Sequence, residues 1–264
     1  MTRESAPATV DHEDEIPTDH PRYQDLVSRH RIEAGVKAGI THLQGMHAEG
    51  RGSAFDYLLG EETIRSADHA ERVAAAELLL ADHPVISVNG NVAALVPDEI
   101  VALAEAVDAD LEVNLFNRTT ERIDRIIAHL EAHGAGEVKG REATARIPGL
   151  EHDRGKVAAD GIAAADVVVV PLEDGDRAEA LRAMGKREIV IDLNPLSRSP
   201  RYATVPIVDN VMRAVPNMIE YVEALRDEPR ETLEALVDEF DADATLADAE
   251  RRIRTGGETA SVDR

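Results

Sequence analysis

Residues 165–200 read ADVVVVPLEDGDRAEALRAMGKREIVIDLNPLSRSP. Two short apolar runs, VVVV and EIVIDL, each end in a polar cluster, and a helical pattern, DRAEALRAMG, separates them. An unbroken Val/Ile run without alternation is the mark of a strand buried on both faces. A strand, a helix and a second strand of this kind form a parallel crossover unit.

The same alternation extends outward in both directions. Upstream lie a helix in SADHAERVAAAELLLADHP, a strand at VISV, a helix around Pro97 to Val107, a strand at LEVNLF and a helix from Thr120 to Ala132 closing at Gly134. Downstream, ATVPIV reads as a further strand. The expected fold is α/β: a Rossmann-like parallel sheet with helices on both faces, plus an N-terminal helical segment and C-terminal helices. The N-terminal helix is placed at Tyr23 to Ala38, after Pro17 and Pro21. The next stretch, QGMHAEGRGSAFDYLLGEE, carries Gly45, Gly50, Gly52 and Gly60 and reads as loop-rich, with a short helix near Phe55 to Leu59. Met218 to Arg254 reads as helices broken at Pro229 and near Asp241 to Asp243. The expected organisation is a disordered acidic tail over 1–15, an α/β domain over 16–226, a helical extension over 227–254 and a disordered tail over 255–264.

Composition narrows the function. With 29 basic against 52 acidic residues the formal charge is -23, which argues against nucleic acid or an anionic membrane as partner. Lysine stands only at Lys37, Lys139, Lys156 and Lys186, and an acidic, lysine-poor surface points to a halophilic, high-salt cytoplasm where a short Debye length screens self-repulsion. The chain has no cysteine, so thiolate catalysis, disulfides and Cys-ligated zinc are excluded. The N-terminus has no apolar leader and no stretch is long enough to cross a bilayer; the expected location is cytoplasmic.

Ligands of open parallel sheets bind outside the carboxyl ends of the strands. Here those ends run into Ser87, Asn89 and Asn91; into Asn117 and Arg118; into Glu173, Asp174, Asp176 and Arg177; into Asn194, Ser197, Arg198 and Ser199; and into Asp209 and Asn210. Each cluster alone is ordinary turn chemistry, but five converging on one edge indicate a polar ligand site. Arg118 and Arg198 suit bidentate phosphate contacts, and Asp192 or Asp209 suits ribose hydroxyls or the waters of a metal ion. Arg51 lies between Gly50 and Gly52, and His152, Arg154 and Lys156 form a cationic cluster. That cluster is not a phosphate loop, because the spacing from Gly149 to Gly155 is too long and Val157 stands where a hydroxyl is required. No G-x-G-x-x-G follows a strand, which counts against an NAD-dependent oxidoreductase; a non-catalytic nucleotide-binding protein stays open. No metal-ligand histidine pair or nucleophile elbow occurs, so no protein-ligated metal is expected.

The motifs GRGSAFDYLLGEET, PVISVNGNVAALVP, EVNLFNRTTER, IPGLEHDRGKV, DVVVVPLEDGDRAEALRAMGK, IDLNPLSRS and IVDNVMRAVPNM resemble those of the archaeal phosphopantothenate synthetases, also called 4-phosphopantoate--beta-alanine ligases. The likeness runs from about Ile16 to Met218 and implies an ATP- and Mg2+-dependent homodimeric ligase of coenzyme A biosynthesis, joining 4-phosphopantoate to beta-alanine through an acyl-adenylate with release of AMP and pyrophosphate. It places ATP contacts on Arg29, Arg51, Asp192, Leu193, Asn194, Arg198, Ser199, Asn210 and Val211. Departures from the family pattern are His30 after Arg29 and Ser53 in GRGSAFDYL. For phosphopantoate the residues themselves suggest Ser87, Asn89, Asn91, Arg118, His152, Arg154 and Lys156. Arg51, Arg198, His152 and Arg154 are the candidates for neutralising charge during the reaction.

Overall fold

The computed structural model describes residues 16–20, 22–172 and 175–256. In chain order the elements are α1 (Tyr23–Lys37), α2 (Leu43–Leu59), α3 (Arg65–Leu80), β1 (Pro84–Val88), α4 (Gly90–Leu95), α5 (Pro97–Ala106), β2 (Asp110–Val113), α6 (Thr120–Ala132) and β3 (Val138–Lys139). There follow β4 (Ala145–Arg146), β5 (Lys156–Val157), β6 (Val167–Pro171), α7 (Gly175–Ala183), β7 (Arg187–Ile191), α8 (Arg198–Tyr202), β8 (Val205–Ile207), α9 (Val211–Leu225), α10 (Arg230–Asp238) and α11 (Ala242–Thr255). Six strands form one sheet in the order β3-β2-β1-β6-β7-β8, every neighbouring pair parallel. This is the expected Rossmann-like α/β fold. The chain winds outward from β1 to β3, then returns to the other side of β1 and winds away to β8, so the winding reverses between β1 and β6.

The two-residue side-chain period of a strand divides the core. Val167 and Val169 join Ile86, Ile189 and Ile191 in the larger cluster under α3, α5, α6 and α9. Val168 and Val170 face the other way and pack with Val85 of β1, Leu181 of α7, and Ile147, Leu150, Val157 and Ile162 from the β4–β5 hairpin and the turn after it. Full burial of each such side chain stabilises by roughly 1.5–3 kcal/mol. The alanines of α3, among them Ala67, Ala70, Ala74 and Ala75, are completely buried, because small side chains let this helix lie close to its neighbours. Leu233 of α10 reaches the larger cluster, and Ala249 of α11 packs with Leu59, Ile64 and Leu193. Among the described residues no helix is long and apolar enough to cross a membrane. The expected tails lie outside the described residues, except that Thr255 ends α11 and Gly256 follows it in a left-handed conformation.

One expectation fails. The glycine-rich stretch after α1 is not loop-rich; it forms the continuous helix α2, from Leu43 to Leu59. Its start is fixed by His42, whose ring nitrogen accepts from the Gln44 amide, and its end by Gly60 in the left-handed conformation. Gly45 serves approach rather than breakage. A Cβ on Gly45 would lie 2.3 Å from Asn91 Oδ1, and one on Gly52 would meet Leu193 at 3.4 Å. Tertiary packing has therefore overridden the helix propensity that glycine lowers. Smaller differences follow from polar strand exits: β2 stops at Val113 rather than Phe116, and α9 begins at Val211, where Asn210 caps the Met212 amide.

The Gly45 contact yields a test. Gly45→Ala is expected to destabilise the protein by about 1–3 kcal/mol, overpacking outweighing the gain in helix propensity. Gly52→Ala, which meets Leu193 at an ordinary distance, is expected to be neutral or to stabilise by up to about 1 kcal/mol. Denaturant unfolding of both variants checks the contrast.

Candidate functional site

At the reversal between β1 and β6 the loops diverge and leave a crevice. Asn89, leaving β1, spans it: its Oδ1 accepts the amides of Asn91 and Val92 at the start of α4, and its Nδ2 donates to Pro171 O at 2.9 Å. One side chain thus ties the ends of the two central strands together. Beyond Pro171, Leu172 holds a left-handed φ of 58°, a strained conformation for a branched side chain. Its amide donates to Ile191 O at 2.9 Å.

Helix α2 lies across these strand ends. Its Gln44 accepts from Asn117 Nδ2 after β2, its Gly45 carbonyl accepts from Asn91 Nδ2 after β1, and its Asp56 accepts from Asn210 Nδ2 after β8. Beneath its first half is a cavity of about 300 Å³. Arg51 and His42 line it from α2, Asn89 and Asn91 from the β1 exit, Phe116 and Asn117 from the β2 exit, with Arg122, Arg154 and Leu172 closing it. Among the described residues lining it, none is acidic and three are arginines.

In a protein of formal charge -23 that is a concentrated cationic site. Arg122 donates to the carbonyls of Ile40 and Asn117, and Arg154 is almost fully buried. Burial, and then the neighbouring Arg154 charge, push the Arg122 pKa below its ordinary value. Two guanidinium groups that repel one another at the wall of one cavity gain from an anion between them.

The expected residues divide into several groups. Asn89, Asn91, Arg51 and Arg154 line the cavity together. His152 is at its rim, its ring 5.6 Å from that of Phe116 and its buried Nδ1 without a partner. Ser87 is buried behind the crevice and accepts from the fully buried Arg177 at 3.0 Å. Arg118 turns away to the carbonyls of Gly140 and Arg141, and Lys156 pairs with Asp153 at 2.6 Å. Arg29 pairs with the buried Asp25 at 2.7 Å. Glu173 and Asp174 lie outside the described residues. The member of the cavity that sequence reading missed is Arg122. It falls inside the first turn of α6, and its sequence signals are the polar exit of the preceding strand and its place at the end of the motif EVNLFNRTTER.

The other half of the edge, at the ends of β7 and β8, is a wall of fixed polar groups. Asp192 accepts from the Ser197 hydroxyl at 2.6 Å and the Asn194 amide at 3.0 Å. Burial raises its pKa, while Ser197, Asn194 and the Arg51 charge favour its ionised form. Leu193 and Val211 are buried beside it, as is Ser199. Arg198 is exposed and paired with Asp176 and with Glu179.

Behind this wall Arg213 joins Asp56 of α2 to Asp209 at the end of β8. Burial works against its charge, but the two carboxylates hold its pKa above the ordinary value. Asp209 also accepts from Thr63 Oγ1 at 2.6 Å. Next to it, Glu71 is pushed up to about 9 by burial and by the Asp209 charge, and accepts from Asn217 Nδ2 at 2.8 Å.

A family profile described as phosphopantothenate/pantothenate synthetase matches residues 66–256. The chain belongs to that family. Curated relatives agree with this membership. The chain is 54% identical over 235 residues to a 4-phosphopantoate--beta-alanine ligase of Methanosarcina mazei, covering 89% of this chain and 92% of the relative. It is equally 54% identical over 240 residues to proteins of the same name from Thermococcus kodakarensis and Thermococcus onnurineus, covering 90% of this chain and 92% of each. The resemblance seen in the motifs is thus that of a family member over nearly its whole length.

Glu71 makes the wall sensitive to pH. Between its ordinary pKa of 4.5 and the raised value of about 9, the unfolded chain is ionised while the folded protein keeps the proton. The folded state binds more protons, so stability falls as pH rises through this window and levels off above it. Glu71→Gln preserves the neutral hydrogen-bonding shape and removes the titration. Its Tm is expected to fall less than that of the wild type between pH 6 and 9, as thermal unfolding followed by circular dichroism would read.

Proposed function

We propose that the protein is an ATP-dependent ligase that condenses 4-phosphopantoate with beta-alanine to give 4'-phosphopantothenate, AMP and pyrophosphate. The observation that carries this reading is the cavity at the strand reversal, with Arg51, Arg122 and Arg154 on its wall and no acid among the described residues lining it, in a member of the synthetase family. A small dianionic phosphate ester fits that chemistry; a neutral metabolite has no use for it. The adjoining wall of Asp192, Asn194, Ser197, Ser199 and Asn210 takes the nucleotide, and Arg51, reaching both the cavity and Asp192, stands between the two substrates.

The family resemblance implies the chemistry, and the arrangement suits it. The phosphopantoate carboxylate attacks the α-phosphorus of ATP, forming an acyl-phosphate bond as the bond to pyrophosphate breaks. The amine of beta-alanine, having lost a proton, then attacks the acyl carbon, and AMP departs. Neither step needs a covalent nucleophile; both need anions held close against their mutual repulsion. Arg51 supplies charge at the α-phosphate, and Arg122 and Arg154 hold the substrate phosphate. Mg2+ would enter on the triphosphate, and Asp192, a carboxylate within the nucleotide wall, is suited to hold one of its waters. Arg198, now paired with carboxylates of α7, and Arg29 would need to exchange partners to reach a nucleotide.

A homodimer is supported by the outer face of α2. Leu43, Met46, Tyr57 and Leu58 are 60%, 44%, 65% and 45% exposed, while the two acids of α2, Glu49 and Asp56, are buried. This face is apolar and free of negative charge, so two highly acidic chains can meet there without direct repulsion.

In molar KCl with ATP and Mg2+, AMP and phosphopantothenate are expected only when phosphopantoate and beta-alanine are both present. ADP in place of AMP would indicate phosphate activation instead. Arg122→Ala and Arg154→Ala are each expected to raise the KM for phosphopantoate about 10- to 100-fold, the range for losing a charge-assisted hydrogen bond, with a smaller change for ATP. Met46→Glu with Tyr57→Glu is expected to yield monomers by sedimentation.

A further inference from the structure

Strand β2 and its exit carry polar side chains where the central strand β6 carries valines. Leu111, Val113 and Leu115 lie in the larger core cluster, and by the two-residue period Glu112 and Asn114 take the opposite face, towards the β4–β5 hairpin. Both are buried, Glu112 completely and Asn114 at 1% exposure. They grip the segment 154–162 in complementary ways. Glu112 accepts from the amides of Ala158 at 2.9 Å and Ile162 at 2.7 Å. Asn114 Nδ2 donates to the carbonyls of Arg154 at 3.2 Å and Lys156 at 3.0 Å. Gly161 allows this closeness, since a Cβ there would stand 2.1 Å from Glu112 Oε2.

The two carbonyls held by Asn114 flank Gly155, the last residue of a single 3-10 turn, Asp153–Gly155. The Gly155 amide closes that turn on His152 O at 3.0 Å, and three residues of 3-10 helix have little stability of their own. Yet this turn delivers Arg154, 6% exposed, to the cavity wall. Asn114 stands directly before Leu115, Phe116 and Asn117, which line the same cavity. Its remaining polar atom, Oδ1, is buried and has no hydrogen-bond partner among the described residues. An unpaired buried acceptor is costly, and an apolar residue on this face of β2 would avoid that cost. The use of the amide lies at its other end, in the placement of the turn.

We propose that Asn114 is a positioning residue for the ligation: by holding the carbonyls of Arg154 and Lys156 to the end of β2, it fixes the Arg154 guanidinium at the substrate phosphate. The proposal rests on the functional reading above, in which Arg154 holds that phosphate. Without the Asn114 amide both carbonyls lose its donor, and buried carbonyls so deprived turn to find another. The turn moves with them, and a misplacement of about 1 Å in such a contact costs up to about 100-fold.

The test is a double-mutant cycle of Asn114→Ala and Arg154→Ala in molar KCl, measuring kcat and KM for each substrate and, separately, phosphopantoate binding by calorimetry, with circular dichroism confirming the fold. Asn114→Ala is expected to raise the KM and the Kd for phosphopantoate about 10-fold, with the KM for ATP changed less than about twofold. Introduced into Arg154→Ala, it should change phosphopantoate binding by less than about twofold, because the group it positions is gone. Equal losses with and without Arg154, or equal rises in KM for ATP and phosphopantoate, would overturn this proposal and leave the ligase reading intact. A wild type that neither ligates nor binds phosphopantoate would overturn the functional reading and this proposal with it. Should Asn114→Ala fail to fold, Asn114→Ser, which keeps a hydroxyl donor, carries the cycle. Failure of both to fold while Arg154→Ala folds would assign Asn114 to stability alone and overturn the proposal.

Discussion

The site depends on how closely a helix can lie over the ends of a parallel sheet. Helix α2 reaches the exits of β1, β2, β7 and β8 because Gly45 presents no side chain to Asn91, whose Oδ1 would lie 2.3 Å from a Cβ there. A parallel sheet alone offers an open crevice at its reversal, with solvent on one side. With α2 in place the crevice becomes a cavity with a roof, and an electrostatic interaction within it is worth more than it would be in water. The loss of helix propensity at Gly45, about 1 kcal/mol, is offset by what the close approach encloses.

Charge is sorted on either side of that roof. Arginines 51, 122 and 154 face the cavity, while Asp25, Glu49, Asp56, Glu71 and Asp209 are buried behind its walls. The buried acids are handled in two ways. Asp56 and Asp209 are paired with Arg213, and Glu71 is driven towards its protonated form. Burying a carboxylate with neither a partner nor a proton would cost several kcal/mol. The arrangement leaves the cavity positive within a strongly acidic molecule, so an anionic substrate is attracted locally although the protein as a whole repels it.

The sheet was readable from the sequence because each central strand is an unbroken apolar run, and burial on both faces leaves no other use for VVVV or EIVI. The strand exits were readable for a related reason: polar residues directly after such a run have one place to be. The short elements were not. β3, β4 and β5 have two residues each, too few for any period, and α4 is a single turn and a half set by the Asn89 cap. Helix α2 was misread because glycine was weighed as a local breaker when its role is set by Asn91, 46 residues away. In the site, Asn89 and Asn91 came from a strand exit, Arg51 from its flanking glycines and the motif resemblance, and Arg154 from its cationic cluster. Arg122, Glu49 and Glu71 sit inside helices, where only the packing reveals which way they face.

The anchoring of α2 at both ends also bears on how such an enzyme can diverge. Gln44 ties the helix to the β2 exit, and Asp56 ties it to Asn210 and Arg213 at the β8 exit. The half of the sheet that lines the cationic cavity and the half that forms the polar wall are thus referred to one rigid beam. Exchanging either half for that of a distant homologue would bring in strand ends set for a different helix. New substrate preference in this scaffold should accordingly arise by substitutions along α2 and the exits it touches, rather than by shuffling its two βαβ halves as independent modules.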